Sequence, residues 1–230
     1  MRTDALLSRF GYCSRREVAQ WLKRGRVTRN GVPVKSPSEK VEPGEVLVDG
    51  EPVEFPAGLY VAFHKPLGCT CSHKEEGELV YDLLPAQWLR RNPAVNTVGR
   101  LDKETSGLLL LTDDGAFEHA QTSPKRHVPK VYAFTTESPV PAEAVAQFAS
   151  GEFMLQGERT PCLPAELVLT GECSGRLTLH EGRYHQVRRM LAAVGAPVLT
   201  LERIEIGPLK LADLNLEPGE WVEIDPAVFS

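Results

Sequence analysis

Short apolar runs, separated by turn-forming residues, follow one another along the chain from residue 60 onwards. Runs of this length predict buried strands, whereas apolar positions three and four residues apart predict helices packed on them. The strands outnumber the helices and do not alternate strictly with them, which favours an α+β fold with a largely antiparallel mixed sheet and flanking helices. The predicted strands are 61–64, 107–112, 131–136, 166–170 and 176–180, and the predicted helices lie near 82–91, 115–121, 141–150 and 184–194.

The first 25 residues carry the pattern of two short helices. We expect Thr3 to cap the first one. Ser14, followed three residues later by Glu17, is a capping-box sequence that opens the second helix, and Gly25 supplies its stop. Farther along, Asp113-Asp114-Gly115 predicts a helix N-cap in preference to an ion site.

Two hairpins are expected after these helices. Asn30-Gly31 and Asp49-Gly50 supply the residues that accept positive φ in tight type I′ turns. The following stretch, 51–60, contains two prolines and a glycine and shows no periodicity. We therefore place a domain boundary there. The prediction is a small α/β module at 1–55 and a larger domain at 56–230.

Charge is distributed very unevenly between these two parts. The net charge of the chain is −5, but residues 1–40 hold ten Lys or Arg against three Asp or Glu, which is +7 and leaves −12 on the rest. A basic head on an acidic body indicates a nucleic-acid anchor, although a solvated basic face would give the same count. The candidate phosphate contacts are Arg15, Arg16, Lys23, Arg24, Arg26 and Arg29.

Composition excludes several other classes of protein. With 42% hydrophobic residues and no apolar run of membrane-spanning length, the chain reads as a globular cytoplasmic protein with no membrane partner. Its N-terminus is too charged for a secretory signal, and five cysteines without paired spacing suggest reduced thiols. Cys69, Cys71 and His73 lack a second ligand pair at zinc-finger spacing, so no metal site is predicted.

The segment GRLDKETSGLLLLTDDG, residues 99–115, places an acid at the mouth of an aliphatic strand. Asp102 is either a solvated loop acid or an acid held at the edge of a pocket, because a carboxylate beside buried leucines needs compensation. Arg188, at the edge of the apolar stripe of the predicted helix 184–194, is an expected ion-pair partner. His185, one turn earlier, is expected to be a packed, hydrogen-bonded histidine.

These motifs resemble two known families. LLSRFGYCSRREVAQWLKRGRVTRNGVPV resembles the S4-type RNA-binding domain, which implies recognition of folded RNA by shape and phosphates. GRLDKETSGLLLLTDDG, KVY at 130–132 and EGRYHQVRRM at 181–190 resemble the RsuA-like family of ribosomal RNA pseudouridine synthases. The resemblance places Asp102 at the catalytic aspartate and implies substrate-binding roles for Tyr132, Arg188 and Arg100. Without it, Tyr132 reads as a half-buried strand residue and Arg188 as a surface cation.

The resemblance implies isomerisation of uridine to pseudouridine in ribosomal RNA. The branch it points to modifies small-subunit (16S) rRNA, at uridine 516, in an assembling particle. The chemistry needs no redox change, so no nucleotide or metal cofactor is expected, and a monomer is expected. Because the reacting bond is shielded in stacked RNA, the uridine must flip out.

The sequence leaves three other functions open. A related enzyme could act on the large-subunit (23S) rRNA. A non-catalytic ribosome-assembly protein would use the basic head and carry an inert body. A hydrolase of N-glycosidic bonds would also place an acid beside a flipped base.

Overall fold

The computed structural model describes residues 1–74 and 76–229, and it divides their hydrophobic residues among several cores. The helices are α1 (Thr3–Arg9), α2 (Val18–Lys23), α3 (Gly115–Thr122), α4 (Glu143–Ala149), α5 (Gln186–Ala193) and α6 (Leu211–Leu214). The strands are β1 (Val27–Arg29), β2 (Val32–Pro33), β3 (Val46–Val48), β4 (Glu51–Pro52), β5 (Tyr60–Lys65), β6 (Asn96–Val98), β7 (Ser106–Thr112), β8 (Lys130–Thr136), β9 (Glu166–Gly171), β10 (Ser174–Leu179), β11 (Val198–Ile206), β12 (Leu209–Lys210) and β13 (Trp221–Glu223).

A small sheet of order β2-β1-β3-β4 packs with α1 and α2 at the N-terminus. Both expected hairpins are present: Asn30 and Gly31 have φ of 47° and 79°, and Asp49 and Gly50 have 53° and 90°. The Ser14 amide donates to the Glu17 carboxylate at 2.8 Å, and α2 begins directly afterwards. The expectation for Thr3 is wrong, because Arg2 occupies the N-cap position and the Thr3 hydroxyl donates to the Glu39 carbonyl.

The larger sheet has the strand order β13-β5-β7-β11-β8-β10-β9, with β6 and β12 attached to β7 and β11. Its neighbouring strands are antiparallel except that β7 and β11 run parallel, so the α+β prediction is confirmed. The predicted strands correspond to β5, β7, β8, β9 and β10. The sequence pattern did not predict β6, β11, β12 or β13.

One predicted helix is wrong. Residues 82–91 form two short 3₁₀ turns, Val80–Leu83 and Trp88–Arg90, with an extended residue, Leu84, between them. Leu84 precedes Pro85, and the proline ring disfavours helical backbone at the residue before it. The other three predicted helices correspond to α3, α4 and α5, and the Asp114 carboxylate caps α3 by accepting from the Ala116 and Phe117 amides.

The N-terminal part packs directly against the larger part through the 3₁₀ segment. The Arg91 guanidinium lies over the Phe10 ring at 4.9 Å, and its Nη1 donates to the Glu54 carbonyl. Arg91 is fully buried and pairs at 2.8 Å with Asp113, whose other carboxylate oxygen accepts from the Leu59 amide. Gly11 is required at this contact, because a Cβ there would lie 2.2 Å from the Gln87 carbonyl oxygen.

Two further observations concern surface and sulfur chemistry. Among the described residues, no helix combines the length and the apolar character needed to cross a bilayer. The five cysteines are all free thiols, and within the same residues no group of three His, Cys, Asp or Glu side chains converges as a metal site.

Candidate active site

A cavity of about 360 Å³ opens between the 99–105 loop, the inner face of β8 and β11, and the start of α5. Asp102, Tyr132, Arg188 and Arg100, all singled out from the sequence, line this one cavity. Its volume lies in the range of small-molecule sites. Residues about 85 positions apart in the chain therefore meet at one place.

The backbone of the loop that carries Asp102 accepts hydrogen bonds from a buried lysine. Lys65, at the end of β5, is completely buried and donates from Nζ to the carbonyl oxygens of Asp102 at 3.1 Å and Thr105 at 2.9 Å. A third bond goes to the carbonyl of Pro66. Burial lowers the pKa of Lys65 from its usual value. Lys65 thus fixes the loop backbone, and its amine does not line the cavity.

The expected ion pair between Asp102 and Arg188 is not formed in the part of the chain that the structure describes. Arg188 Nη2 instead donates to the backbone carbonyl of Glu104 at 2.7 Å, so α5 holds the loop from its other side. The Asp102 carboxylate, whose side chain is 33% exposed, lies 3.3 Å from His185 Nε2. Lys65 and Arg188 therefore both donate hydrogen bonds to backbone carbonyl oxygens of the loop and orient it. Within the described residues, neither of them pairs with the Asp102 carboxylate.

His185 occupies an unusual position for a histidine. It is the residue before α5, with a left-handed φ of 48°, and its ring stacks on the exposed Tyr184 ring at a centroid distance of 3.9 Å. The sequence interpretation of a packed histidine is only partly right, because the ring is 35% exposed and faces Asp102. The close backbone turn before α5 brings the ring to the carboxylate.

The inner wall of the cavity is made by two neighbouring strands. Tyr132 on β8 pairs in register with Arg203 on β11, and paired residues in a sheet project to the same face. Lys130, two residues before Tyr132, projects to that face as well. Tyr132 is half-buried and packs against both main cores of the larger part.

Arg203 and Lys130 were given no role from the sequence. Arg203 is only 2% exposed, and its Nε donates to the Leu108 carbonyl at 2.8 Å. The available signal was a charged residue two positions from Leu201, but the segment mixes polar and aliphatic residues and was itself not predicted as a strand. Lys130 lies inside the KVY motif, but the family resemblance implied a role there for Tyr132 alone.

Gly107 holds the acid-bearing loop close to Arg203. It begins the run of leucines in β7, has φ of 107°, and pairs with Arg203 across the parallel contact. A Cβ at this position would lie 2.3 Å from the Arg203 carbonyl oxygen. Only glycine permits both this backbone conformation and this approach.

The six candidate phosphate contacts of the N-terminal part divide into two groups. Arg15, Arg16, Lys23 and Arg24 are exposed and, among the described residues, form no ion pair. Arg26 is held by Asp49 and lies over the Trp21 ring at 3.5 Å, while Arg29 pairs with Glu45 at 2.8 Å.

Comparison with known proteins decides the family. Residues 59–193 match the RNA pseudouridylate synthase family and residues 1–47 match the S4 domain. The chain belongs to the RNA pseudouridylate synthase family. It is an RNA pseudouridine synthase, an isomerase with an S4 RNA-binding module.

Individual relatives match over nearly their whole length. An uncharacterized RNA pseudouridine synthase of Bacillus subtilis is 39% identical, covering 97% of this chain and 95% of the relative. The ribosomal small subunit pseudouridine synthase A of Pasteurella multocida is 39% identical over 96% and 94%, and that of Escherichia coli K12 is 38% identical over 96% and 95%. A crystal structure of a pseudouridylate synthase superposes with a TM-score of 0.69 at 35% identity, covering 99% and 97%.

Proposed function

We propose that this pseudouridine synthase isomerises a uridine of small-subunit ribosomal RNA, at the position numbered 516, in an assembling particle. The support for the RNA class is the similarity to small subunit pseudouridine synthases A of two organisms over nearly the full length. The support for the site is that Asp102, Tyr132, Arg188 and Arg100 line a single cavity. The finer assignments, the rRNA and its nucleotide, are carried by the resemblance.

The carboxylate of Asp102 is proposed to act on the ribose. In the reaction the C1′–N1 bond breaks, the base turns, a C1′–C5 bond forms, the proton on C5 leaves and N1 takes up a proton. The carboxylate serves as a nucleophile at C1′ or as a base at C2′. Its partial exposure suits either task, since a ribose can reach it from the open side of the cavity.

Tyr132 and Arg100 are proposed to handle the flipped nucleotide. Tyr132 presents an aromatic face on the inner wall, against which an extruded uracil can stack. Arg100 is exposed on the same loop as Asp102, where it can hold a phosphate or the strand that the uridine leaves. Arg188 is proposed to position the loop through Glu104, in place of pairing with the acid.

The N-terminal module, 1–55, is proposed to dock the RNA, and 56–230 to perform the chemistry. The exposed cations Arg15, Arg16, Lys23 and Arg24 give it a positive surface on an acidic chain. Arg26 and Arg29 are already paired with acids, so they are proposed to contribute less.

Asp102→Asn tests the catalytic assignment. The variant should fold and bind rRNA as the wild type does, while tritium release from rRNA labelled at uridine C5 falls by at least about 10³-fold, as expected when the group that reacts is removed. Asp82→Asn, on the 3₁₀ turn Val80–Leu83, is a matched control. Turnover retained in Asp102→Asn would refute the assignment.

Mapping of pseudouridine tests the choice of RNA. Both ribosomal RNAs from cells with and without the gene are treated with carbodiimide and read by primer extension. Loss of one stop at position 516 of the small-subunit rRNA is expected. Loss of a stop in the large-subunit rRNA would refute the proposed substrate and leave the enzyme class standing.

A further inference from the structure

The cavity contains an arginine that is almost wholly buried and incompletely bonded. Arg203 Nη2 has no hydrogen-bond partner among the described residues, and Arg203 forms no ion pair there. Leaving a charged donor of this kind without a partner costs free energy. Because Arg203 lines the cavity, a ligand that reaches its guanidinium can supply the missing acceptor.

Lys130 stands next to Arg203 on the same wall. Its Nζ donates to the Val128 carbonyl at 3.1 Å. Burial, together with the charge of Arg203, lowers the pKa of Lys130 from 10.5 to about 8. Two desolvated cations on one wall favour a negative charge between them, because each alone is poorly compensated.

The rest of the cavity does not neutralise this wall. Glu181 is paired with Arg183 at 3.0 Å, and Asp102 faces His185 on the loop side. The titratable and charged groups that face the cavity with Lys130 are Arg203 and Tyr132 from the sheet, Asp102 and Arg100 from the loop, and His180, Glu181, Arg183, Tyr184, His185 and Arg188 from the segment that leads into α5.

We propose that Arg203 and Lys130 form a positively charged patch on this wall of the cavity, and that the patch stabilises the uracil while it is detached from the ribose. This inference rests on the proposed function and adds two groups to it. When the C1′–N1 bond breaks toward a covalent adduct or a glycal, its electron pair stays with the base and spreads over N1, O2 and O4. When C1′–C5 forms, an electron pair of the base returns to the sugar, the C5 proton leaves and N1 is protonated.

A phosphate group is the other anion that could meet these cations. Phosphates remain on the sugar backbone and so stay at the open side of the cavity, near the exposed Arg100. Arg203 is 2% exposed, so we expect the flipped base to come closer to it than the sugar backbone does. Fixed donors aimed at charge that develops during a reaction accelerate it, and removing one such donor typically costs about 10²–10³-fold in rate.

Single-turnover kinetics with labelled rRNA test the proposal on the full-length enzyme. Lys130→Met should lower the rate of tritium release about 10²-fold at pH 7 while the Kd for RNA and its salt dependence stay unchanged. Lys130→Arg should restore most of the rate. Lys210→Met removes a lysine outside the cavity, one paired with Glu205, and should match the wild type.

The pH profile separates this role from a structural one. In the wild type the rate should fall as the pH rises through about 8, because Lys130 loses its proton there. Lys130→Arg should abolish that fall, since a guanidinium stays charged. Arg203→Lys should lower the rate without weakening RNA binding, and if it does not fold, the Lys130 variants decide.

Two outcomes would overturn the inference. An unchanged rate in Lys130→Met would show that the amine is idle. Weaker RNA binding with a salt slope reduced by about 0.7–0.9 would show a phosphate contact instead. A wild-type enzyme that releases no tritium from any rRNA would count against the proposed function and would be seen before any variant is made.

Discussion

The cations of the N-terminal module and those of the cavity have the same sign but opposite surroundings. Arg15, Arg16, Lys23 and Arg24 stand in water, where a charge costs little and is screened by salt. Arg203 and Lys130 are desolvated and short of partners. Charges of the first kind suit general attraction of a polyanion, whereas charges of the second kind suit one transient charge at one place. The net charge of −5 reveals neither.

Arg91 offers a third case, a buried cation with a complete set of partners, and should show the largest effect. Arg91→Met leaves the Asp113 carboxylate buried without its ion pair, at a cost of about 3–5 kcal/mol in the free energy of unfolding. Urea unfolding measures this loss. The double variant Arg91→Met/Asp113→Leu should recover part of it, and a loss below about 1 kcal/mol would contradict the importance of the pair.

Removing the exposed cations of the N-terminal module should have an intermediate effect. Changing Arg15, Arg16, Lys23 and Arg24 to Gln should weaken rRNA binding and reduce the slope of log K against log salt by up to about 3, if all four contact phosphates. The rate at saturating RNA should not change. Filter binding at several salt concentrations measures the slope.

The matched control is a pair of acid-bound cations. Arg26→Gln/Arg29→Gln should change the slope less per residue, because Asp49 and Glu45 already offset these charges. An equal change per residue would remove the distinction between free and paired cations of the module.

The smallest effect should be a pH dependence of stability that arises from Lys130. Its folded-state pKa, about 8, lies below the ordinary 10.5, so keeping the protonated form in the folded protein costs free energy. That cost is fully present below pH 8 and disappears as the pH rises to about 10.5. Lys130→Met should therefore stabilise the protein more at pH 7 than at pH 10, as thermal unfolding would show. If the stability difference between Lys130→Met and the wild type did not change with pH, the Lys130 amine would be solvated in the folded protein.

The sequence predicted the larger sheet where apolar runs were long and continuous, as in 107–112. It failed at 82–91, where helical spacing was present but Pro85 prevented the helix. β11 was not predicted because it mixes Thr, Glu and Arg with aliphatic residues. It becomes a partly buried strand by pairing with β7 and β8. Tertiary pairing, which a single sequence does not display, decides such strands.

At the site, the sequence motifs identified which residues line the cavity but did not give their partners. Asp102 and Arg188 were expected to pair because their charges are opposite. The structure places His185 beside Asp102 and directs Arg188 to a backbone carbonyl. The ion pair was predicted from side-chain charges alone. In the structure Arg188 and Lys65 donate to backbone carbonyl groups of the loop, and a sequence motif does not show where those groups lie.

The parallel contact at Gly107 also sets an order of assembly. Asp102 lies just before β7, but the strand that supplies Arg203 follows about a hundred residues later, and pairing across such a separation is entropically late. A chain cut before residue 198 would keep Asp102, Tyr132 and Arg188 and yet lack the strand between β7 and β8. We therefore expect a variant truncated before residue 198 to be inactive although it retains Asp102, Tyr132 and Arg188.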